Sequence, residues 1–171
     1  MQRPTSVTVF GILNIVFAAF GIFGLIASIA LFFMPGNSNN PVIKIMNENA
    51  AYAMWLKVCI PLGVLSCAAL LAAGIGLLRL KSWARKLSIG YAIYAIVFGI
   101  IGMVVNFIFL IEPMLKEAQN QQGPEAAGAI GGAIGGSFGG CFGMIYPVLL
   151  LIFMMRPTVV AAFQPSAPPQ T

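Results

Sequence analysis

The sequence contains no histidine and no aspartate, and its only acidic residues are four glutamates. The absence of histidine excludes histidine general bases and metal sites with imidazole ligands. Charged residues make up 8% of the chain, whereas soluble domains carry about 25%. Hydrophobic residues make up 60% of its 171 residues. This composition is typical of a single-domain integral membrane protein whose first partner is the lipid bilayer.

Cysteine is also scarce, and Cys59, Cys67 and Cys141 all lie in apolar segments. We interpret them as small buried hydrophobic residues and expect no disulfide framework. The net charge of +5 does not indicate nucleic-acid binding, because the basic residues stand at the ends of apolar segments and form no stripe. No nucleophile–base pair and no paired carboxylates lie within these segments. We therefore predict no catalytic residue, no cofactor site and no metal site.

Four apolar segments are long enough to cross a membrane as helices: residues 7–33, 51–80, 87–111 and 126–155. The first could instead be a signal peptide, but it is far longer than the usual apolar core of about 7–15 residues. We expect one membrane domain over residues 1–163 and a Pro-rich, disordered cytoplasmic tail over residues 164–171. The predicted fold is an all-α membrane protein with a four-transmembrane-helix bundle.

Two short helical segments are expected outside the spans. Asn40 followed by Pro41 is typical of a helix N-cap and first position, so a short helix should begin near Pro41 and lead into the second span. After Arg156, a short turn of helix through Phe163 is expected.

The fourth span contains four consecutive tetrads, each beginning and ending with glycine. Residues four apart share a face of a helix, so the glycines form two adjacent rows. The first row is Gly128, Gly132, Gly136 and Gly140, and the second row is Gly131, Gly135, Gly139 and Gly143. Because glycine lets another backbone approach closely, the sequence predicts a glycine-zipper-like fourth helix.

Two partners for this glycine face remain open. One is the second span of the same chain, where Ala68, Ala72 and Gly76 form a row of small residues. The other is a second copy of the chain, which would give a homo-oligomer through the glycine-rich helix. A phosphate-binding loop is a poor alternative, because no Lys-Ser/Thr pair follows the glycines. The sequence names no other protein partner.

The basic residues are divided unequally between the two ends of the predicted bundle. One end carries Arg3, Arg79, Lys81, Arg85, Lys86 and Arg156. The other end carries Lys44, Lys57, Lys116 and all four glutamates. By the positive-inside rule, both termini are predicted to lie in the cytoplasm.

Few polar side chains lie in or near the spans, and four are candidates for a role in function. Asn14 and Asn106 lie inside predicted spans, and Lys57 and Glu112 lie near the outer interface. A hydrogen bond to a neighbouring helix is the expected role of Asn14, with a substrate contact as the alternative. Lys57 and Glu112 could pair across helices, although we favour separate snorkelling to the headgroups.

Three short motifs carry a resemblance to known proteins: the Arg3-Pro4 opening, the run 74–78 before Trp83-Ala84-Arg85, and the segment from Arg156-Pro157 to Ala162-Phe163. In these motifs the chain resembles small four-span bacterial integral membrane proteins of unknown function. The resemblance implies a bacterial inner-membrane setting and implies no activity and no site.

The features of the sequence favour a non-enzymatic membrane protein with a structural, assembly or interaction role through close helix packing on the glycine-rich face. The alternative is a small transporter or an oligomeric channel subunit, for which Asn14, Lys57, Asn106, Glu112 and Tyr146 are the candidate polar residues. An accessory subunit of a larger complex would have the same sequence features as the first hypothesis. A membrane enzyme is disfavoured by the lack of paired catalytic groups.

Overall fold

A computed structural model of the chain describes residues 5–33, 41–113, 115–116, 131 and 143–163, and within them it is helical with no β-strand. Six helices are numbered here in chain order: α1 Thr5–Phe33, α2 Pro41–Glu48, α3 Ala50–Leu78, α4 Ser82–Asn106, α5 Gly143–Met154 and α6 Pro157–Ala162. A π-helical segment, Phe107–Ile111, continues α4 without a break. The prediction of an all-α protein is confirmed.

Three segments are long and apolar enough to cross a membrane: Thr5–Ala30, Ala50–Leu78 and Ser82–Ile111. They coincide with the first three predicted spans, but α4 begins five residues before the predicted start of the third span at residue 87. Arg85 and Lys86, which we had placed before that span, therefore lie on α4 itself. By length and composition, the described part of the chain is that of a multi-pass membrane protein.

The short helix predicted to begin at Pro41 is confirmed as α2, which leads directly into α3. Asn49 separates the two helices and caps α3, because its side-chain oxygen accepts hydrogen bonds from the main-chain N–H groups of Ala51 and Tyr52 at 3.0 and 3.2 Å. An N-cap asparagine satisfies amides that the helix itself cannot pair. The cap therefore allows α2 and α3 to meet at an angle with only one residue between them.

The turn between α3 and α4 has the hydrogen bonds of a Schellman motif. The N–H of Lys81 donates to the carbonyl oxygen of Gly76 at 2.9 Å, and the N–H of Leu80 donates to that of Leu77 at 3.0 Å. Leu80 adopts a left-handed backbone conformation with φ of 53°, at the position where such motifs usually have glycine. Its side chain packs against the buried core, which offsets the backbone strain.

The buried core lies at the end of the molecule that contains this turn. It joins residues from five helices, namely Val7, Phe10, Leu77, Ala84, Ala92, Leu150, Met154 and Val159. The last of these belongs to α6, which confirms the short helix predicted after Arg156. Pro157 occupies the first turn of α6, where proline's fixed φ and missing N–H are compatible with a helix.

The contacts between helices place α5 between α1 and α4. Helix α1 packs along α3, and α3 packs along α4. Phe10 of α1 contacts Phe153 of α5 with ring centroids 4.9 Å apart. The side chain of Arg85 on α4 donates from Nε to the main-chain oxygen of Met154 on α5 at 2.9 Å. A guanidinium is well placed there, because the last carbonyls of a helix have no partner in the helix itself.

The surfaces that face away from these contacts are apolar, as a lipid environment requires. Phe20 and Phe23 on α1 are 71% and 78% exposed, and Met54 and Leu65 on α3 are 69% and 66% exposed. Exposing such side chains to hydrocarbon carries no free-energy penalty, whereas exposing them to water would be unfavourable. The pattern supports helices that present large side chains to lipid and keep small ones for their mutual contacts.

Candidate functional site

Two helix backbones meet directly at two isolated glycines, Gly11 of α1 and Gly74 of α3. A Cβ on Gly74 would lie 2.8 Å from the carbonyl oxygen of Gly11, and a Cβ on Gly11 would lie 3.3 Å from the carbonyl oxygen of Gly74. The two backbones therefore touch with no side chain between them. Such contacts gain dispersion energy and allow weak Cα–H···O interactions.

The same interface continues away from this crossing through two glycines that receive side chains. A Cβ on Gly21 would lie 2.7 Å from Sγ of Cys67, and a Cβ on Gly63 would lie 2.7 Å from Cδ2 of Leu25. Each helix thus offers a glycine to a side chain of the other. Gly21 therefore serves this interface, whereas Gly24, three residues later on α1, has open space around it.

Two more glycines mark contacts with α4. A Cβ on Gly76 would lie 2.5 Å from Cβ of Ala84 and 2.9 Å from the indole of Trp83, so this glycine receives the first turn of α4. Gly76, the last residue of the small-residue row that we considered as one partner of the glycine face, thus packs against α4, and the partner of the glycine face stays a prediction. Gly99 on α4 instead receives Met144 of α5, whose Sδ lies 3.1 Å from the position of a Cβ.

Of the glycine tetrads themselves, Gly131 and Gly143 lie within the described residues. Both are exposed, and a Cβ at either would meet no described atom within 4 Å. The six other glycines of the two rows (Gly128, Gly132, Gly135, Gly136, Gly139 and Gly140) lie outside the described residues. The glycine-zipper-like packing of the fourth helix therefore stays a prediction.

A buried polar contact joins α1 to α5 beside the Gly11–Gly74 crossing. Asn14 is fully buried, and its side-chain oxygen accepts a hydrogen bond from the hydroxyl of Tyr146. The Tyr146 ring packs against Phe17 in a tilted arrangement, with centroids 4.1 Å apart. Among the described residues, Asn14 Nδ2 has no hydrogen-bond partner. The predicted role of Asn14 as a contact between helices is confirmed, and half of its hydrogen-bonding capacity is unused.

Asn14 lies well inside Thr5–Ala30, a segment long and apolar enough to cross a membrane. It is nine residues from the start of α1, or about 14 Å along a helix, and a hydrocarbon core is about 30 Å thick. An unpaired amide N–H at such a depth is unfavourable, because no water is present to bind it. The serines of the spans differ in this respect, since Ser28, Ser66 and Ser88 each donate to a carbonyl of their own helix.

A second polar contact joins α3 to α4 at the opposite end. The hydroxyl of Tyr52 donates to the side-chain oxygen of Asn106 at 3.3 Å, and Asn106 Nδ2 donates to the main-chain oxygen of Gly102 at 2.9 Å. Asn106 is the residue at which α4 passes into its π-helical segment. Sequence reasoning identified Asn106 as a candidate and gave no sign that Tyr52 was its partner.

The two charged candidates do not meet. Glu112 Oε1 pairs with Lys116 Nζ of the same helical stretch at 2.7 Å, and Lys57 is exposed. The cross-helix ion pair between Lys57 and Glu112, which we considered, is thus not formed. The pair that does form is exposed on both sides and contributes little to stability. Among the described residues no ionisable group other than tyrosine and cysteine is buried in the spans.

The described residues hold no group of three or more His, Cys, Asp or Glu side chains that could bind a metal ion. Cys59 and Cys67 are free thiols, each half-buried, and Cys141 lies outside the described residues. The arrangement offers helix-packing surfaces and two polar contacts between helices. The chain matches no family model, no curated protein and no solved structure.

Proposed function

We propose that this chain is a non-enzymatic membrane scaffold, in which a four-helix bundle presents the glycine-rich face of its fourth helix to another helix. The observation that carries the proposal is the placement of α5. This helix packs between α1 and α4, and its first residue, Gly143, is the last glycine of the tetrads. The glycine face thus starts at a point where the described chain is already part of the bundle.

The length of α5 supports a longer fourth span. Its twelve residues, Gly143–Met154, extend about 18 Å, which is a little over half of a hydrocarbon core of about 30 Å. In this proposal the tetrads supply the remaining half, over a span of residues 126–155. The unequal division of basic residues supports both termini in the cytoplasm. The resemblance of the short motifs to small four-span bacterial membrane proteins supports a bacterial inner membrane as the setting.

The chemistry of the described interior favours packing over coupled transport. Transporters commonly place an ionisable residue within the membrane, where it binds the coupling ion or the substrate. Here the inward-facing polar groups are uncharged, and most of them are paired with each other or with their own backbone. The charged residues Lys57 and Glu112 lie toward helix ends. Close glycine contacts, in contrast, occur at the α1–α3, α3–α4 and α4–α5 interfaces.

The test is the oligomeric mass of the full chain in mild detergent, measured by light scattering. The informative variant is Gly131→Leu/Gly143→Leu, because both glycines are exposed and a side chain at either meets no described atom of its own chain. We expect the wild type to be oligomeric and this variant to be smaller yet folded. The double variant Gly132→Leu/Gly136→Leu tests the other row in the same way.

Gly24→Leu is the matched control, because Gly24 is an exposed glycine with equally open surroundings on α1. It should leave the mass unchanged. A monomeric wild type whose helicity is lost in the Gly132→Leu/Gly136→Leu variant would place the glycine face inside the chain. Oligomers of unchanged mass in both double variants would show that the glycine face takes no part in assembly.

The unpaired amide of Asn14 favours a second candidate, a small transporter or oligomeric channel subunit. A buried donor without a partner is available to a water molecule or a polar solute near mid-membrane. Proteoliposomes that contain a pH-sensitive dye would report proton flux under an imposed potential. A flux that Asn14→Leu abolishes would support this candidate, and identical traces with and without protein would exclude a proton pathway.

A further inference from the structure

A groove of about 180 Å³ runs between α3 and α4 on the surface of the molecule. Its walls are mostly apolar and are formed by Leu65, Ser66, Ala69, Leu87, Gly90, Tyr91 and Tyr94. The groove opens outward, because Leu65 is 66% exposed and Gly90 is exposed with no described atom within 4 Å of a Cβ position. In a membrane this opening faces hydrocarbon.

The groove leads along both helices toward the α3–α4 turn. On α4, Lys86 lies one helical turn before Gly90, and Trp83 lies one turn before Leu87. On α3, Arg79 follows the groove residue Ala69 by ten residues, or about 15 Å along the axis. One cation from each helix therefore stands beyond the same end of the groove, with the Trp83 indole packed on Gly76 nearby.

The cations at this end have no acidic partner among the described residues. Arg79, Lys81 and Lys86 are exposed, and the structure shows no ion pair to any of them within the described chain. Arg85 differs, because its side chain is committed to the carbonyl of Met154. The paired carboxylate of Glu112 belongs to the opposite end of α4. The turn is thus a concentration of unneutralised positive charge beside an apolar groove.

We propose that the α3–α4 groove binds one phospholipid with an anionic headgroup. An acyl chain lies in the groove over Gly90 and Ala69, and the phosphate lies among Arg79, Lys81 and Lys86. Basic pockets at the membrane surface between transmembrane helices select anionic lipids in this way. Guanidinium and ammonium groups donate several charge-assisted hydrogen bonds to one phosphate. Trp83 is of the residue type that prefers the headgroup level, which is where the proposal requires it.

The occupant is a lipid and not a soluble anion because the site combines two chemistries. The groove offers apolar walls that a free phosphate would not use, and the turn offers charge that a neutral lipid would not use. A lipid with a net negative headgroup satisfies both at once. Neither the scaffold function nor the orientation of the termini enters this inference.

Native mass spectrometry of the full chain in mild detergent tests the proposal, with phosphatidylglycerol as the anionic probe and phosphatidylcholine as the zwitterionic probe of identical chains. The wild type should retain phosphatidylglycerol preferentially. Arg79→Gln/Lys86→Gln should weaken phosphatidylglycerol binding about thirtyfold, since each cation near a membrane surface accounts for about fivefold. Binding of phosphatidylcholine should change little.

Gly90→Leu tests the groove separately. Leucine favours a helix more than glycine does and meets no described atom here, so the variant should fold as the wild type does. It should nevertheless weaken the binding of both lipids, because the new side chain occupies the place of the acyl chain. Gly24→Leu, a change at an equally open glycine on another helix, should not weaken the binding of either lipid.

Three results would overturn the proposal. One is an equal loss of phosphatidylglycerol in Lys57→Gln/Lys116→Gln, which removes the same charge at the opposite end. Another is unchanged lipid retention in Gly90→Leu. The third is competition by chain-free glycerol phosphate at the concentration at which phosphatidylglycerol itself competes, since that would make the turn a bare phosphate site.

Discussion

The carbonyl oxygen of Gly11 lies 2.8 Å from the position that a Cβ would occupy on Gly74, so α1 and α3 meet backbone to backbone. Asn14 lies beside the same crossing, with its Cβ 3.1 Å from that position. The backbone contact between α1 and α3 and the buried amide of Asn14 therefore share one location. A change in either is expected to disturb the other.

Gly74→Ala should destabilise the protein by about 1–3 kcal/mol, because even one methyl group must displace a backbone carbonyl rather than a flexible side chain. Thermal unfolding in mild detergent, followed by circular dichroism, measures the change. Gly24→Ala is the control and should be neutral or slightly stabilising, since its surroundings are open. Equal melting temperatures for the Gly74 variant and the wild type would contradict the close crossing.

Tyr146→Phe should destabilise the protein by about 0.6 kcal/mol, the average for hydrogen bonds between membrane helices, and by no more than about 1.7 kcal/mol. The change removes the hydroxyl that donates to Asn14 and leaves both polar atoms of that buried side chain unpaired. A double-mutant cycle with Asn14→Leu isolates the contact. Once Asn14 is replaced, the loss of the Tyr146 hydroxyl should lower the free energy of unfolding by less than it does in the wild type. Strictly additive effects in unfolding experiments would show that the two side chains do not interact.

Leu80→Gly should be more stable than Leu80→Ala by about 1 kcal/mol. Both variants lose the packing of the leucine side chain on the core, but only glycine adopts the left-handed backbone of this turn without strain. Because both variants lose the same packing, the difference between their free energies of unfolding reports the backbone strain, and thermal unfolding measures it. A more stable alanine variant would mean that the turn does not hold this backbone conformation in the membrane.

The helices themselves could be predicted well from the sequence, because hydrophobic length is nearly decisive in a membrane protein. Residues 7–33 were expected as a span and are covered by α1, and α3 ends two residues before the predicted end of the span 51–80. The early start of α4 at Ser82 was missed, because Arg85 and Lys86 were assigned to the turn. Such residues can remain helical while their long side chains reach the surface.

The contacts between helices were predicted less well. A row of glycines shows that a close approach is allowed, but it does not show which helix fills the space. The tetrads were the strongest pattern in the sequence, yet the close contacts of the described chain use the separate glycines Gly11, Gly21, Gly63 and Gly74. Isolated glycines carry no periodic signal, and only the relative position of two helices reveals their role.

For the polar contacts, the sequence identified one partner of each pair and the structure revealed the other. Asn14 and Asn106 could be selected from the sequence as amides inside apolar spans, and both do bind a neighbouring helix. Their tyrosine partners lie 132 and 54 residues away in sequence. No spacing rule connects residues so distant, so the pairs depend on the three-dimensional arrangement of α1, α3, α4 and α5.

The buried core joins Val7 in α1 to Val159 in α6. During synthesis α1, α3 and α4 leave the ribosome long before α6 does, and their lipid-facing sides are satisfied as soon as they insert. The core cannot close until Val159 has been translated, so insertion and final assembly are separate stages in time. In the interval Met154 and Val159 are missing from the core, and the apolar side chains that they cover at that end are exposed.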